Sequence, residues 1–251
     1  MEIVIAVLIF VYGLIFGSFY NVVGLRVPKG ESIVRPPSHC TICNRNLTAR
    51  DLVPVFSYVF LKGKCRGCGT KIHWVYPVIE LSTGLFFTFA YIQLGFTWEL
   101  LVALLFISLL IIITVSDIAY MLIPDKILLF FLIPLVIGRF FSPLTPWWDS
   151  IVGAVIGFGI LFLIAIVSKG GMGGGDIKLF FVIGLVLGTT PTLVTLFLAS
   201  IIGTVVGVIT LRISKQGRKT PIPFGPSIAV AAIISYFYAE SIVDWYINLF
   251  F

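Results

Sequence analysis

The chain has 251 residues, of which 59% are hydrophobic and only 11% charged, with 23 Phe and a mean hydropathy of +1.12. A water-soluble domain of this size carries about a quarter of its residues as charges. A soluble enzyme and a low-complexity chain are both excluded, and the net charge of +6 has to be explained on an integral membrane protein.

The N-terminal run "MEIVIAVLIFVYGLIFGSFYNVVGLRV" has no basic stretch before its apolar core. It also exceeds the roughly 7 to 15 residues of a signal-peptide core, so a retained membrane helix is expected over 2–25. A soluble segment at 26–73 follows. Further apolar spans are predicted at 74–95, 98–116, 127–143, 150–167, 177–190, 192–211 and 225–250. The expected fold is an all-α polytopic membrane protein with about eight transmembrane helices, the sixth short and separated from the seventh only by "TTPT". The chain then divides into a first helix (1–25), a four-cysteine loop domain (26–73) and a membrane core (74–251). Four helices carry a G-x-x-x-G pair: Gly13 and Gly17, Gly153 and Gly157, Gly184 and Gly188, Gly203 and Gly207. Such pairs let backbones approach closely in lipid, and packing within the chain is favoured over a dimer contact.

Basic residues set the orientation, because Lys and Arg stay on the cytoplasmic side. The 26–73 segment holds Arg26, Lys29, Arg35, Arg45, Arg50, Lys62, Lys64, Arg66 and Lys71, and "RISKQGRK" adds four more. Lys126, Lys169 and Lys178 fall in two other loops of that face, and only Arg139 lies opposite. Both termini are expected outside and the large loop in the cytoplasm. The net charge then reads as basic surface against anionic membrane lipid, with no nucleic-acid partner.

The 26–73 segment holds all four cysteines, as Cys40-x-x-Cys43 and, after 21 intervening residues, Cys65-x-x-Cys68. Two such thiolate pairs suit a closed tetrahedral Zn(II) site, which is structural because no ligand position stays open for chemistry. A loop with few apolar side chains builds little core of its own, so a metal staple is physically reasonable. Two disulfides are the first alternative, disfavoured by a reducing cytoplasm. A redox pair, as in a membrane thiol oxidoreductase, is the second. His39 and His73 flank the site and read as loop residues, since four sulfurs complete the shell.

Asp117, in "TVSDIAYMLIPDK", follows the third apolar run without a break. Inserting a charged carboxylate at such a depth costs about 2.5 to 3.5 kcal/mol, so an intramembrane acid is a functional candidate by default, with an interfacial snorkelling role as the alternative. Asp125 follows Pro124 and reads first as a helix-entry charge. Asp176 follows "GGMGGG" in "SKGGMGGGDIK", more glycine than one helix cap needs; several glycines remove side chains so that something can come close. The topology puts Asp117 and Asp176 on one membrane face. Two carboxylates sharing one proton are the minimal apparatus for aspartyl peptide hydrolysis: one takes a proton from water while the other, neutral, polarises the scissile carbonyl. An ion transporter is the rival reading, but it needs a polar path to both faces, and the outer halves of these helices are almost devoid of polar residues.

The strings "GSFYNVVGLRVP", "LVPVFSYVFLKGKCRGC", "YPVIELSTG", "SDIAYMLIPD", "GGGDIKLF" and "PIPFGP", in this order, resemble the type IV prepilin leader peptidases, in particular the shorter competence-type members. The resemblance covers nearly the whole chain. It implies a GxGD-type aspartyl protease of the bacterial plasma (inner) membrane that cuts prepilins or pseudopilins after a glycine ending a short basic leader, on the cytoplasmic side. It also implies, in many members, methylation of the new N-terminus with S-adenosylmethionine. Carried over residue by residue, the catalytic acids are Asp117 and Asp176, and the family's cysteines are Cys40, Cys43, Cys65 and Cys68. Gly174, Gly175, Lys169 or Lys178 are expected to hold the dyad and admit the substrate strand, with Asp125 as the rival first acid. Glu80 in "YPVIE" is a further polar candidate, equally readable as a helix-end charge. No glycine-rich turn after a strand marks a methyl-donor pocket.

Overall fold

The computed structural model describes residues 2–168, 171–214 and 223–250. Among them the regular elements are α1 (Glu2–Arg26), α2 (Phe56–Phe60), α3 (Val75–Leu94), α4 (Trp98–Tyr120), α5 (Asp125–Phe141), α6 (Asp149–Val167), α7 (Gly174–Leu187), α8 (Thr189–Ser214) and α9 (Gly225–Phe250), with short 3-10 turns at Val27–Lys29 and Ala49–Asp51. Among the described residues six stretches are long and apolar enough to cross a bilayer: Glu2–Lys29, Val75–Leu94, Trp98–Tyr120, Asp149–Val167, Thr189–Arg212 and Gly225–Leu249. The chain is a multi-pass membrane protein. The other two predicted spans coincide with α5 and α7, which have 17 and 14 residues. At about 1.5 Å per residue they reach roughly 26 and 21 Å, short of a hydrocarbon core of about 30 Å.

The helices divide into two compact units, Met1–Val115 and Ser116–Phe251. In the first, α1 lies along α3 in antiparallel sense. A Cβ on Gly13 would sit 2.7 Å from the Gly84 Cα, and one on Gly17 would sit 2.8 Å from the Glu80 Cα. Lipid tails are as apolar as the helices, so close backbone contact replaces the hydrophobic effect as the adhesive. A buried hydrogen bond of 2.6 Å between Tyr20 Oη and Ser108 Oγ adds a polar tie.

In the second unit α6 and α7 pack through glycine in the same way. A Cβ on Gly153 would lie 2.8 Å from the Gly188 Cα, and one on Gly157 2.6 Å from the Phe180 carbonyl oxygen. These pairs therefore serve packing inside the chain. The expected separator "TTPT" belongs to α8: the break is Gly188 alone, at φ 82, and Thr189 opens the next helix. Pro191 in that first turn costs nothing, because its missing N–H would have no helical partner there. Asp149 caps the helix start, accepting from the Thr189 N–H at 3.1 Å and from the Thr189 hydroxyl at 2.6 Å. Arg139, buried on α5, donates from Nε to the Val186 carbonyl at 2.8 Å, satisfying one of the carbonyls left over at the end of α7.

Helix α4 runs past its predicted end at 116, since "SDIAY" contains no breaker, and stops where Met121 adopts φ 52 with its N–H bonded to the Asp117 carbonyl at 2.8 Å.

Candidate active site and thiol cluster

Asp117 lies in the last turn of α4 and is buried. Its Oδ2 accepts the backbone N–H of Gly225, the first residue of α9, at 2.7 Å. That approach demands glycine: a Cβ at 225 would stand 2.8 Å from the same carboxylate oxygen. Asp176 occupies the third position of α7, whose N-cap is Gly173, so it is not the cap that its place after a glycine run suggests. The Asp117 carboxylate is near enough to act electrostatically on Asp176. The Asp117 carboxylate thus meets the N-terminus of α9, and Asp176 stands in the first turn of α7; at such positions unpaired N–H groups and the helix dipole favour negative charge.

The glycines before Asp176 divide the work. A Cβ on Gly175 would fall 2.7 Å from the Ile123 Cβ, so this glycine lets α7 close on the turn between α4 and α5. A Cβ on Gly174 would meet nothing within 4 Å, which leaves open space two residues before the acid. Lys178 does not reach the dyad in the way expected of it. Its Nζ binds Asp125 Oδ2 at 2.7 Å, across α7 and α5, with both side chains more than half exposed. Asp125 itself starts α5 behind Pro124, as a helix-entry acid should. Lys169 lies outside the described residues. Below the ion pair, Leu128, Leu129, Leu132, Phe158, Phe181 and Val182 line an apolar cavity of about 300 Å³.

In the Met1–Val115 unit the four cysteines form one cluster, with all Sγ atoms within 4.8 Å of one another and no disulfide. The two knuckles are built alike. Cys40 N–H donates to the Arg45 carbonyl at 3.0 Å and Asn44 N–H to the Cys40 carbonyl at 2.9 Å; Cys65 N–H donates to the Thr70 carbonyl at 2.8 Å and Gly69 N–H to the Cys65 carbonyl at 2.9 Å. Asn44 and Gly69, each four residues beyond the first cysteine of its knuckle, take positive φ of 54 and 73 degrees. The bridges His39–Asn46 and Lys64–Lys71 close the two knuckles at matching positions. Both knuckles point their N–H groups and thiols at one centre. A tetrahedron with metal–sulfur bonds of about 2.3 Å has edges of about 3.8 Å, and Cys40 Sγ and Cys68 Sγ stand 3.8 Å apart. The donor set fits a tetrahedral thiophilic metal ion.

Glu80, on α3, is also buried; its Oε2 accepts the Val55 N–H at 2.7 Å. Val55 holds φ 61 in a tight turn whose Phe56 N–H bonds the Pro54 carbonyl at 2.6 Å, a rare backbone state for a β-branched residue. Glu80 therefore fastens the loop to α3 and is no simple helix-end charge.

Two family descriptions match the chain: the bacterial peptidase A24 N-terminal domain over residues 11–94 and the type IV leader peptidase family over residues 104–208. A relative from Bacillus subtilis named "Prepilin leader peptidase/N-methyltransferase" is 45% identical over 96% of this chain and 98% of its own length. The chain belongs to the type IV leader peptidase family. Relatives of the same name from Aeromonas salmonicida and Pseudomonas aeruginosa are each 31% identical, covering 96% and 94% of this chain and 93% and 91% of their own. No solved structure gives a match.

Within this leader peptidase family member, sequence reasoning missed Gly225, Ile123 and Asp51. Gly225 sat inside the quoted "PIPFGP", where a glycine wedged between Phe and Pro ahead of an apolar run was the available signal. Asp51 carries no motif. Its side chain is 3% exposed and accepts hydrogen bonds from Arg45, Arg66 and Thr48. The Thr48 N–H first, then the Arg66 and Thr48 side chains and the Arg45 charge, hold its carboxyl down to about 2.

Proposed function

We propose that the chain is a membrane aspartyl endopeptidase that removes the leader from type IV prepilins or pseudopilins, with Asp117 and Asp176 as its catalytic pair. Family membership supports the substrate and the reaction. The observation that carries the residue assignment is the meeting of two acids from separate helices at the N-termini of α7 and α9. Asp117, fixed by the Gly225 N–H, takes a proton from water as the water oxygen bonds to the scissile carbonyl carbon. Asp176, protonated, hydrogen-bonds the carbonyl oxygen as it gains charge. Collapse of the tetrahedral intermediate breaks the C–N bond, and the proton gained from water passes to the departing amine. The open side of Gly174 admits the substrate strand. The Asp125–Lys178 ion pair supports the α5–α7 contact beside it.

On this reading α5 and α7 are the two short members of an eight-helix membrane core spanning 74–251 with the first helix. Residues 26–73 form a zinc-ribbon-like domain whose Cys40, Cys43, Cys65 and Cys68 hold structural Zn(II). The large loop faces the cytoplasm and both termini face outward, which the distribution of Lys and Arg supports. The relatives' name also supports N-methylation of the new N-terminus, with S-adenosylmethionine supplying the methyl group. No strand occurs among the described residues, so the strand-and-glycine-turn pocket such a donor often occupies has no counterpart there, and no residue is assigned to it.

The test is co-expression with a prepilin-like substrate. Asp117→Asn and Asp176→Asn should each abolish processing while the protein accumulates normally, and Asp125→Asn should leave cleavage. Normal processing by either of the first two refutes the pair; loss in Asp125→Asn with activity in Asp117→Asn would move the first acid to position 125.

A further inference from the structure

Four thiols delivered by two knuckles must converge before a metal arrives, yet a loop of this size has little core to align them. Hydrogen bonds within each knuckle shape that knuckle alone, and do not set where the second stands relative to the first. One side chain is bonded to both.

We infer that Asp51 is the positioning residue that fastens the two cysteine knuckles together and so presets the four-thiolate site. Its Oδ2 accepts from Arg45 Nη2 at 3.0 Å, and Arg45 lies two residues beyond Cys43. Its Oδ1 accepts from Arg66 Nε at 2.8 Å, and Arg66 lies between Cys65 and Cys68. One carboxylate thus spans both knuckles with one oxygen each. The brace is itself anchored: Oδ2 also accepts the Thr48 N–H at 3.1 Å and the Thr48 hydroxyl at 2.9 Å, a capping box on the 3-10 turn Ala49–Asp51. Arg45 reaches Asp51 by crossing the second knuckle. A Cβ on Gly67 would lie 3.2 Å from the Arg45 Cδ and 3.6 Å from the Cys43 Sγ, so the bare glycine is the bed in which the arginine stem lies.

Geometry and charge act together here. Charge-assisted bonds to arginine are shorter and stronger than neutral ones, and Asp51 is almost fully covered by them. A divalent ion held by four thiolates would carry net negative charge, and the two guanidinium groups that Asp51 fixes belong to the knuckles that would hold it. Outer-shell partners of this kind change metal affinity by about 10- to 100-fold when removed.

The inference rests on the metal reading above, and the experiment separates the two. The full-length protein, purified in detergent with its zinc, is titrated with a chelator while zinc release is read colorimetrically. Asp51→Asn keeps the shape and the Thr48 contacts but loses the charge that holds both arginines, so zinc should be bound about 10- to 100-fold more weakly. Arg66→Gln, which frees one knuckle only, should fall between. Asp51→Glu should recover part of the loss. Cobalt-loaded Asp51→Asn should show weakened tetrahedral absorption bands at a helix content equal to the parent. Zinc held by Asp51→Asn with parental affinity overturns the inference. A parent that binds no zinc at all overturns the metal reading instead. Should Asp51→Asn fail to accumulate, Arg66→Gln decides: parental affinity in that variant sinks the brace.

Discussion

Gly175→Ala is the sharpest test of why glycines precede Asp176. A methyl there would lie 2.7 Å from the Ile123 Cβ, whereas carbon atoms rest at about 3.5 to 4.0 Å. The start of α7 must therefore retreat by roughly 0.8 to 1.3 Å, carrying Asp176 away from Asp117. Alanine favours a helix over glycine by about 1 kcal/mol, and overpacking costs about 1 to 3 kcal/mol, so the net cost is about 0 to 2 kcal/mol and the protein should still fold. The displacement is what activity feels, since a misplacement of about 1 Å at a reacting group costs on the order of 100-fold in rate. Single-turnover cleavage of a purified prepilin in detergent should drop by about that factor, with unchanged protein yield. Gly159→Ala on α6, where a Cβ meets nothing within 4 Å, is the matched control and should cleave normally. Parental cleavage by Gly175→Ala would refute the close-approach argument.

Two further substitutions probe neighbouring positions. Gly174→Val enters open space, so it should leave folding and metal content unchanged but block the substrate strand and abolish cleavage; cleavage within a few-fold of the parent would remove Gly174 from the substrate path. Gly225→Val would push a side chain into the Asp117 carboxylate, 2.8 Å from where its Cβ would sit, and should lose activity as completely as Asp117→Asn, as read by substrate processing against an anti-leader antibody.

How much of this the sequence disclosed depends on the range of each contact. The cysteine spacing marked its cluster because a knuckle is local: both ends of each hydrogen-bonded turn lie within about six residues. Asp117 and Asp176 were proposed as partners from expected membrane side and glycine content, two properties that need no knowledge of packing. The contact from the Gly225 N–H to Asp117 spans 108 positions, and no periodicity encodes it. The same holds for Ile123 beneath Gly175 and for Asp51 between two arginines. Helix ends were misplaced for a different reason. The apolar span stops at 116 because hydropathy falls at Asp117, but a carboxylate with a backbone donor stays comfortably within a helix. The segment "TTPT" reads as a separator because it is not apolar, although all four residues belong to the first turn of α8 and its proline stands where a helix tolerates one.

Positions at helix ends explain how a membrane can hold such acids at all. One carboxylate charge within a bilayer costs about 2.5 to 3.5 kcal/mol on insertion scales. A helix N-terminus returns about 0.3 to 1 kcal/mol at a surface and up to about 2 kcal/mol when partly buried, and a charged hydrogen bond about 1.5 to 3 kcal/mol. Asp117 has a direct bond at the start of α9, and Asp176 lies in the first turn of α7. One charge is therefore supported to within a few kcal/mol, while a second placed beside it has to overcome the repulsion of the first. On the proposed reading the pair therefore shares one proton, which is the protonation state that peptide hydrolysis by two carboxyl groups requires. The glycines at 173, 175 and 225 are what allow both helix ends to come so close.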